Sequence, residues 1–141
     1  MNEFEKCLER RSLVRFEHAG PDVIERELAS AREDLTDLDL LLENGRWKRA
    51  TITGYYAMFH AARALVLAKG YAEKSHYCLV VAFRELYGDT DDGRFLGMAL
   101  ARGRSLRENA DYNSEFSEES ASSITTAAGR FVAFAEGLLI R

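Results

Sequence analysis

The chain has 141 residues, of which 47% are hydrophobic and 30% are charged, and its formal net charge is −4. These values indicate one globular domain, spanning 1–141, and they argue against a protein that coats nucleic acid through its overall charge. No apolar run reaches the length of a membrane span, and the charged N-terminus lacks the apolar core of a secretion signal. We therefore expect a cytoplasmic protein that does not act in a membrane.

The N-terminal part of the chain shows helical patterning interrupted once. Residues 3–16 are predicted to form a short helix, which ends before the breaker at Pro21. Asp22 is a suitable N-cap for the next helix, and Glu25 completes a capping box. Apolar residues then recur at spacings of three and four as far as Glu43, so a long amphipathic helix is predicted.

The central part is predicted to continue as an antiparallel helical hairpin. Asn44-Gly45 forms a tight turn into a helix that begins at Trp47 and ends at Gly70. Ser75 is expected to cap the following helix.

The C-terminal part is predicted to contain two further helices. A polar loop over 88–93 leads into a helix from about Arg94 to Ala110, with Phe95 facing inward. Ser117 opens the last helix. No strand pattern is found, so the fold class is all-α, a bundle of four main helices and a short N-terminal one.

The two cysteines, Cys7 and Cys78, stand far apart in sequence and outside any pattern of zinc ligands. We interpret them as unpaired residues in a reducing compartment. The sequence predicts neither a metal site nor a cofactor.

A polar stripe crosses the apolar central helix. The spacing of its members places them on one helix face: Arg49, Thr53, Tyr56, His60 and Arg63. Because most of this helix is expected to be buried, Tyr56, His60 and Arg63 should be half-buried and face a cleft or a second chain. His60 is a candidate for proton transfer and Arg63 for phosphate binding. The alternative is a purely structural network of ion pairs.

Further candidate residues lie downstream. Four arginines and no acid occur in 94–107, which indicates either a phosphate-binding face or a solvated helix surface. Asp111 lies one turn from Arg107 and is expected to pair with it or with Arg63. His76 follows the capping Ser75 and is either exposed or part of the site.

Three segments together resemble HEPN domains, a family of small helical modules. They are LLLENGRWKRA, GYYAMFHAARALVLAKGYAEKSHY and LRENADY, and the resemblance covers residues 22–138. It implies a four- to five-helix up-and-down bundle that forms a homodimer. It also implies a partner, a minimal nucleotidyltransferase, in a module of the toxin–antitoxin type.

The resemblance further implies a metal-independent ribonuclease whose signature is an arginine followed, after four to six residues, by a histidine. Here Arg107 is followed after four residues by Tyr112, and tyrosine is a poor base at neutral pH. We therefore expect a cleft that binds nucleotide or RNA, formed by Tyr56, His60, Arg63, His76, Arg107, Asp111 and Tyr112. Two alternatives remain: an active ribonuclease that uses His60 with Arg107, and a structural module without a ligand.

Overall fold

The computed structural model describes Met1 to Ile140 and contains, within that range, six helices and two short strands. In chain order they are α1 (Glu3–Glu9), β1 (Leu13–Arg15), α2 (Pro21–Glu43), α3 (Trp47–Ala68), β2 (Tyr71–Glu73), α4 (His76–Tyr87), α5 (Asp91–Tyr112) and α6 (Glu118–Leu139). The prediction of an all-α up-and-down bundle is confirmed.

The core of the bundle is built around α3. This helix packs against α2, α4, α5 and α6, and it contributes more buried residues than any other element. Small residues allow the close packing. A Cβ atom at Gly54 would lie 2.9 Å from Cγ2 of Ile124 on α6, so these two helices meet at a contact that only glycine permits without rearrangement.

Several predicted helix boundaries agree with the structure. The Ser75 hydroxyl accepts a hydrogen bond from the Cys78 amide, and the Ser117 hydroxyl accepts one from the Ser120 amide, so both serines are N-caps. The polar loop before α5 is shorter than predicted because Thr90 caps the helix and Asp91 is already its first residue.

Two details of the helices differ from the prediction. The N-cap of α2 is Gly20 and not Asp22, because Pro21 occupies the first helical position, where its missing N–H is not needed. Phe95 points outward and is 43% exposed, and Leu96 takes the inward position beside it.

The predicted helix over 3–16 is wrong in its second half. Helix α1 ends at Glu9, Arg11 adopts a positive φ of 60°, and β1 follows. Strand β1 pairs antiparallel with β2, with Leu13 opposite Glu73. The strand forms because β2 offers backbone partners and because Leu13 becomes completely buried, neither of which is visible in the local sequence.

The expectation of two unpaired cysteines is also wrong. Cys7 on α1 and Cys78 on α4 form a disulfide, with their Cα atoms 5.9 Å apart. The guanidinium of Arg10 lies beside both sulfur atoms, at 3.7 and 3.8 Å. The disulfide links the N-terminal segment covalently to the first turn of α4.

Among the residues that the structure describes, no helix combines the length and the apolar character that a membrane crossing requires.

Candidate functional site

Arg107 lies near the end of α5 with its side chain turned into the bundle, and only 8% of the residue is exposed. Its guanidinium carbon lies 5.4 Å from the ring centre of Tyr55, 5.7 Å from that of Tyr56 and 5.8 Å from that of Tyr112. An arginine among aromatic rings gains cation–π attraction, yet the rings offer few hydrogen-bond acceptors.

The charge of Arg107 is only partly compensated. Its Nε is buried and has no hydrogen-bond partner within the described residues. The nearest carboxylate belongs to Asp111, whose Oδ2 lies 3.8 Å from Nη1. A buried donor without an acceptor is costly, so an acceptor brought in by a ligand would be favoured at this position. Arg107, Tyr55, Tyr56, Asp111 and Tyr112 form what we call the Arg107 cluster.

Close packing of α5 on α3 produces this cluster. A Cβ atom at Gly103 would lie 2.6 Å from Cε of Met58 and 3.5 Å from Cδ1 of Tyr55. Gly103 therefore allows α5 to approach α3 one turn before Arg107. The tyrosine pair at the centre of α3 then lies against the guanidinium.

The sequence left two partners open for Asp111, and the structure selects one. Asp111 pairs with Arg107, whereas Arg63 binds Glu73 and Glu27, so a pairing of Asp111 with Arg63 is wrong. Tyr112 is 74% exposed and lies at the rim of the cluster.

A second group of polar residues lies further along α3. Arg63 donates from Nη2 to Oε2 of Glu73 at 2.7 Å and from Nη1 to Oε1 of Glu27 at 3.5 Å. His60 Nδ1 lies 2.7 Å from Oε2 of Glu27. We call Glu27, His60, Arg63 and Glu73 the carboxylate network.

The carboxylate network determines which ring nitrogen of His60 carries the proton when the ring is neutral. A carboxylate only accepts, so Nδ1 of His60 donates to Glu27, and Nε2 of the neutral ring is left as a proton acceptor. Burial acts to raise the pKa of Glu27, but the His60 hydrogen bond and the charge of Arg63 outweigh burial, and the pKa is lowered. Glu27 therefore stays ionised at neutral pH and orients the imidazole.

His76 differs from His60 because its Nδ1 faces a hydroxyl group and not a carboxylate. Its Nδ1 lies 2.6 Å from the hydroxyl of Tyr55, and its ring stacks on Phe59 with the ring centres 4.6 Å apart. Burial and the nearby charges of Arg107 and Arg104 lower the pKa of His76. His76 is therefore half-buried between Tyr55 and Phe59, and the expectation of a simply exposed side chain is wrong.

Three side chains with nitrogen donors or acceptors lie around the ring of Tyr56. The guanidinium of Arg107 lies 5.7 Å from it, the His76 ring lies 6.1 Å from it and the His60 ring lies 6.5 Å from it. The fold thus brings His60, His76 and Arg107 around one aromatic side chain, although the three residues come from three different helices.

The arginines over 94–107 do not form one free basic face. Arg94 pairs with Asp91, Arg104 lies 3.3 Å from Glu108, and Arg107 turns inward. Arg102 is exposed and lines a groove between α5 and α6.

Sequence reasoning missed Tyr55, Glu27 and Glu73 as members of the site. Tyr55 carries a detectable signal, because it adjoins Tyr56 in an aromatic pair within a buried helix. Glu27 and Glu73 carry none, because each reaches the site only through contacts between distant parts of the chain.

The chain matches one family model and several known proteins. A family model described as HEPN domain matches residues 24–138. A UPF0332 protein of Thermotoga maritima is 38% identical over 100 residues, which are 69% of this chain and 76% of that protein. A protein of Methanocaldococcus jannaschii named "Putative toxin" is 33% identical over 106 residues, which are 72% of this chain and 78% of that protein.

A further relative, a UPF0332 protein of Pyrococcus horikoshii, is 38% identical over 63 residues. That match spans 45% of this chain and 44% of the relative. The family model covers most of the chain, including all four long helices of the bundle except the first residues of α2 and the last residue of α6. The chain therefore belongs to the HEPN family.

Proposed function

We propose that the protein binds the phosphate groups of RNA or of a nucleotide at the Arg107 cluster, as the HEPN half of a two-component module. The observation that carries this proposal is the state of Arg107, a nine-tenths buried cation whose Nε has no acceptor. A phosphate accepts hydrogen bonds from a guanidinium in a forked geometry and would supply the missing acceptor.

The surroundings of Arg107 favour a nucleotide over a simple anion. Tyr56 is half-buried and Tyr112 is mostly exposed, so aromatic surface lies beside the phosphate position. Aromatic side chains stack on bases with little regard to sequence. Tyr56 would stack on a base or donate a hydrogen bond, while Asp111 orients Arg107.

The role of Arg63 within this proposal is to hold the carboxylate network. Its guanidinium already donates to Glu73 and Glu27, so a phosphate would have to compete with two carboxylates. Arg107 is therefore the arginine that we expect to contact the ligand, and Arg63 acts by keeping Glu27 beside His60.

The binding proposal is tested by fluorescence anisotropy with a labelled single-stranded RNA. Arg107→Gln should weaken binding at least tenfold, because hydrogen bonds to charged groups contribute about 1.5–3 kcal/mol. Arg94→Gln, at an exposed position on the same helix, is the matched control and should bind almost as the wild type does. Equal losses in both variants would show that binding depends on general charge and not on the cluster.

In the proposed module, this protein forms a homodimer and binds a nucleotidyltransferase partner. A groove of about 480 Å³ between α5 and α6 is lined mainly by apolar residues and presents Met98, which is 62% exposed. Exposed apolar surface of this kind is typical of interaction sites. Light scattering should show a dimer that Met98→Glu converts to a folded monomer. Co-expression with a candidate minimal nucleotidyltransferase from the same genome should yield a complex if the two-component proposal is correct.

A second candidate function is metal-independent RNA cleavage, favoured by the hydrogen bond between His60 and Glu27. With Nδ1 donating to Glu27, Nε2 of His60 is positioned as a general base. It would take the proton of a ribose 2′-hydroxyl as that oxygen attacks phosphorus, and Arg107 would stabilise the charge on the phosphate. The 5′-oxygen would leave with a proton returned by His60 or taken from water.

Cleavage is tested with purified protein and RNA in the presence of EDTA. His60→Gln and Glu27→Gln should both reduce cleavage, the first at least a hundredfold, because general bases contribute about 10²–10⁴ in rate. RNA binding should persist in both variants. If wild-type protein binds RNA and leaves it intact, the protein is a binding module and this second function is rejected.

A further inference from the structure

The neutral imidazole of His76 has a defined proton position. Tyr55 is completely buried, and burial raises the pKa of its hydroxyl, so the hydroxyl keeps its proton. Within the described residues His76 Nδ1 is the only hydrogen-bond partner of that hydroxyl. A buried hydroxyl must donate to an acceptor, so Tyr55 donates to Nδ1 and the single proton of the neutral ring resides on Nε2.

This arrangement disfavours the charged form of His76. A protonated ring would carry hydrogens on both nitrogens, and the Tyr55 proton would then have no acceptor. The groups that face His76 act in both directions: Arg107 and Arg104 of α5 and Arg63 of α3 oppose its protonation, and Glu73 of β2 favours it. Burial and the three arginines prevail, and the pKa is lowered.

His76 and Arg107 lie around the same two tyrosines. The His76 ring is 5.7 Å from the ring of Tyr55 and 6.1 Å from that of Tyr56, and the guanidinium of Arg107 is 5.4 Å and 5.7 Å from the same rings. Nε2 of His76 has no hydrogen-bond partner among the described residues, and the side chain is only half-buried, so a ligand can reach it. A free N–H donor therefore lies beside the Arg107 cluster and its incompletely bonded guanidinium.

We propose that His76, beside the Arg107 cluster, is a second phosphate-contacting residue after Arg107 and binds the phosphate as an uncharged donor through Nε2. This inference rests on the proposed binding function and adds a residue that lies outside the Arg107–Tyr112 segment. Arg107 supplies charge and a forked donor set, and His76 supplies one directed hydrogen bond whose proton position is fixed by Tyr55. The two contributions differ in how they depend on salt.

Salt dependence is the measurement that separates the two residues. A protein cation that neutralises a phosphate releases the counterions bound there, so each charged contact to single-stranded RNA contributes about 0.7 to the steepness of the fall of log affinity with log salt. Arg107→Gln should reduce that slope by about 0.7. His76→Phe should weaken binding about fivefold, as expected for one neutral hydrogen bond, and leave the slope unchanged.

Conservative and control variants complete the design. His76→Gln retains an N–H donor and should recover part of the lost affinity, whereas the exposed His18→Phe should bind as the wild type does. His76→Phe leaves the Tyr55 hydroxyl unpaired, so the double variant Tyr55→Phe/His76→Phe is measured as well, because it removes both partners and protects the fold.

Nitrogen-15 NMR of the imidazole gives an independent readout. We expect a neutral ring at pH 7 protonated at Nε2, and a shift in the tautomer population or a higher pKa in Tyr55→Phe. A wild-type ring protonated at Nδ1 would overturn the inference. So would unchanged affinity in both His76→Phe and the double variant while Arg107→Gln loses binding, and in that case the proposed function would stand. Absence of RNA and nucleotide binding by the wild type would overturn both.

Discussion

Arg63 binds the carboxylate of Glu73 in a bidentate manner, with Nε donating to Oε1 at 3.1 Å and Nη2 donating to Oε2 at 2.7 Å. Glu73 is almost completely buried, with 4% of its side chain exposed, while a third of the Arg63 side chain remains exposed. The pair connects α3 to β2. It also raises the pKa of Arg63, chiefly through the Glu73 hydrogen bonds, so Arg63 stays charged.

Removing Arg63 should therefore destabilise the protein. Arg63→Ala leaves the Glu73 carboxylate buried without its partner, and we expect the free energy of unfolding to fall by about 3 kcal/mol. This is the lower end of the range for buried pairs because water reaches one side of Arg63. Urea denaturation measures the change, with the exposed Arg49→Ala on the same helix as the control. A loss below 0.5 kcal/mol would mean that water replaces the pair at little cost.

The disulfide should contribute measurably to stability. Cys7 and Cys78 are separated by 71 residues, so the bond closes a long loop and restricts the unfolded chain. Reduction, or Cys7→Ser together with Cys78→Ser, should lower the free energy of unfolding by about 2–4 kcal/mol. Because both cysteines are buried, the protein is unfolded in urea first, and iodoacetamide should then label it only after a reducing agent has been added. Rapid labelling of unreduced protein, detected by intact mass, would contradict the pairing.

The contact at Gly54 predicts a substitution with a defined sign. Gly54→Ala places a methyl group 2.9 Å from Ile124, a branched core residue, and should cost about 1–2 kcal/mol after the gain in helix propensity is included. Gly129→Ala on α6 meets no atom within 4 Å and should raise stability by about 0.5–1 kcal/mol. Thermal melts of both variants check the signs, and stabilisation by Gly54→Ala would show that α3 and α6 can separate easily.

The lowered pKa of His76 predicts a pH dependence of stability. The folded protein resists protonation of His76, whereas the unfolded chain protonates it near the ordinary value of 6.5. Stability from this residue is thus complete above about pH 6.5 and is lost as the pH falls toward the pKa of the folded state. Denaturation of the wild type and of His76→Gln between pH 7.5 and 5 should show a steeper loss in the wild type. Parallel curves would exclude the effect.

The bundle was largely predictable because its determinants are local. Spacings of three and four place apolar residues on one face, and Ser75 and Ser117 cap their own helices through bonds to residues three positions away. The pairing of Arg107 with Asp111, four residues apart, belongs to the same class. Such features can be inferred from sequence alone because few residues determine each of them.

The unpredicted strands and the hydrogen bonds of the two histidines depend on contacts between distant positions. Strands β1 and β2 have three residues each and are stabilised by pairs that lie 56 to 60 positions apart in sequence, from Arg15 opposite Tyr71 to Leu13 opposite Glu73. The hydrogen bond of His76 to Tyr55 and that of His60 to Glu27 span 21 and 33 positions. Their chemistry depends on which nitrogen of each ring is engaged, and only the folded geometry determines that.

The N-terminal segment, residues 1–16, lies outside the region that matches the family. It nevertheless covers the stretch that carries Glu73 and His76, through the disulfide, the pairing of β1 with β2 and a contact of Phe4 with Tyr71. A chain trimmed to the family boundaries would leave β2 as an unpaired edge and Cys78 without its partner. We therefore expect a chain trimmed to residues 24–138 to hold Glu73 and His76 less rigidly than the 141-residue chain does.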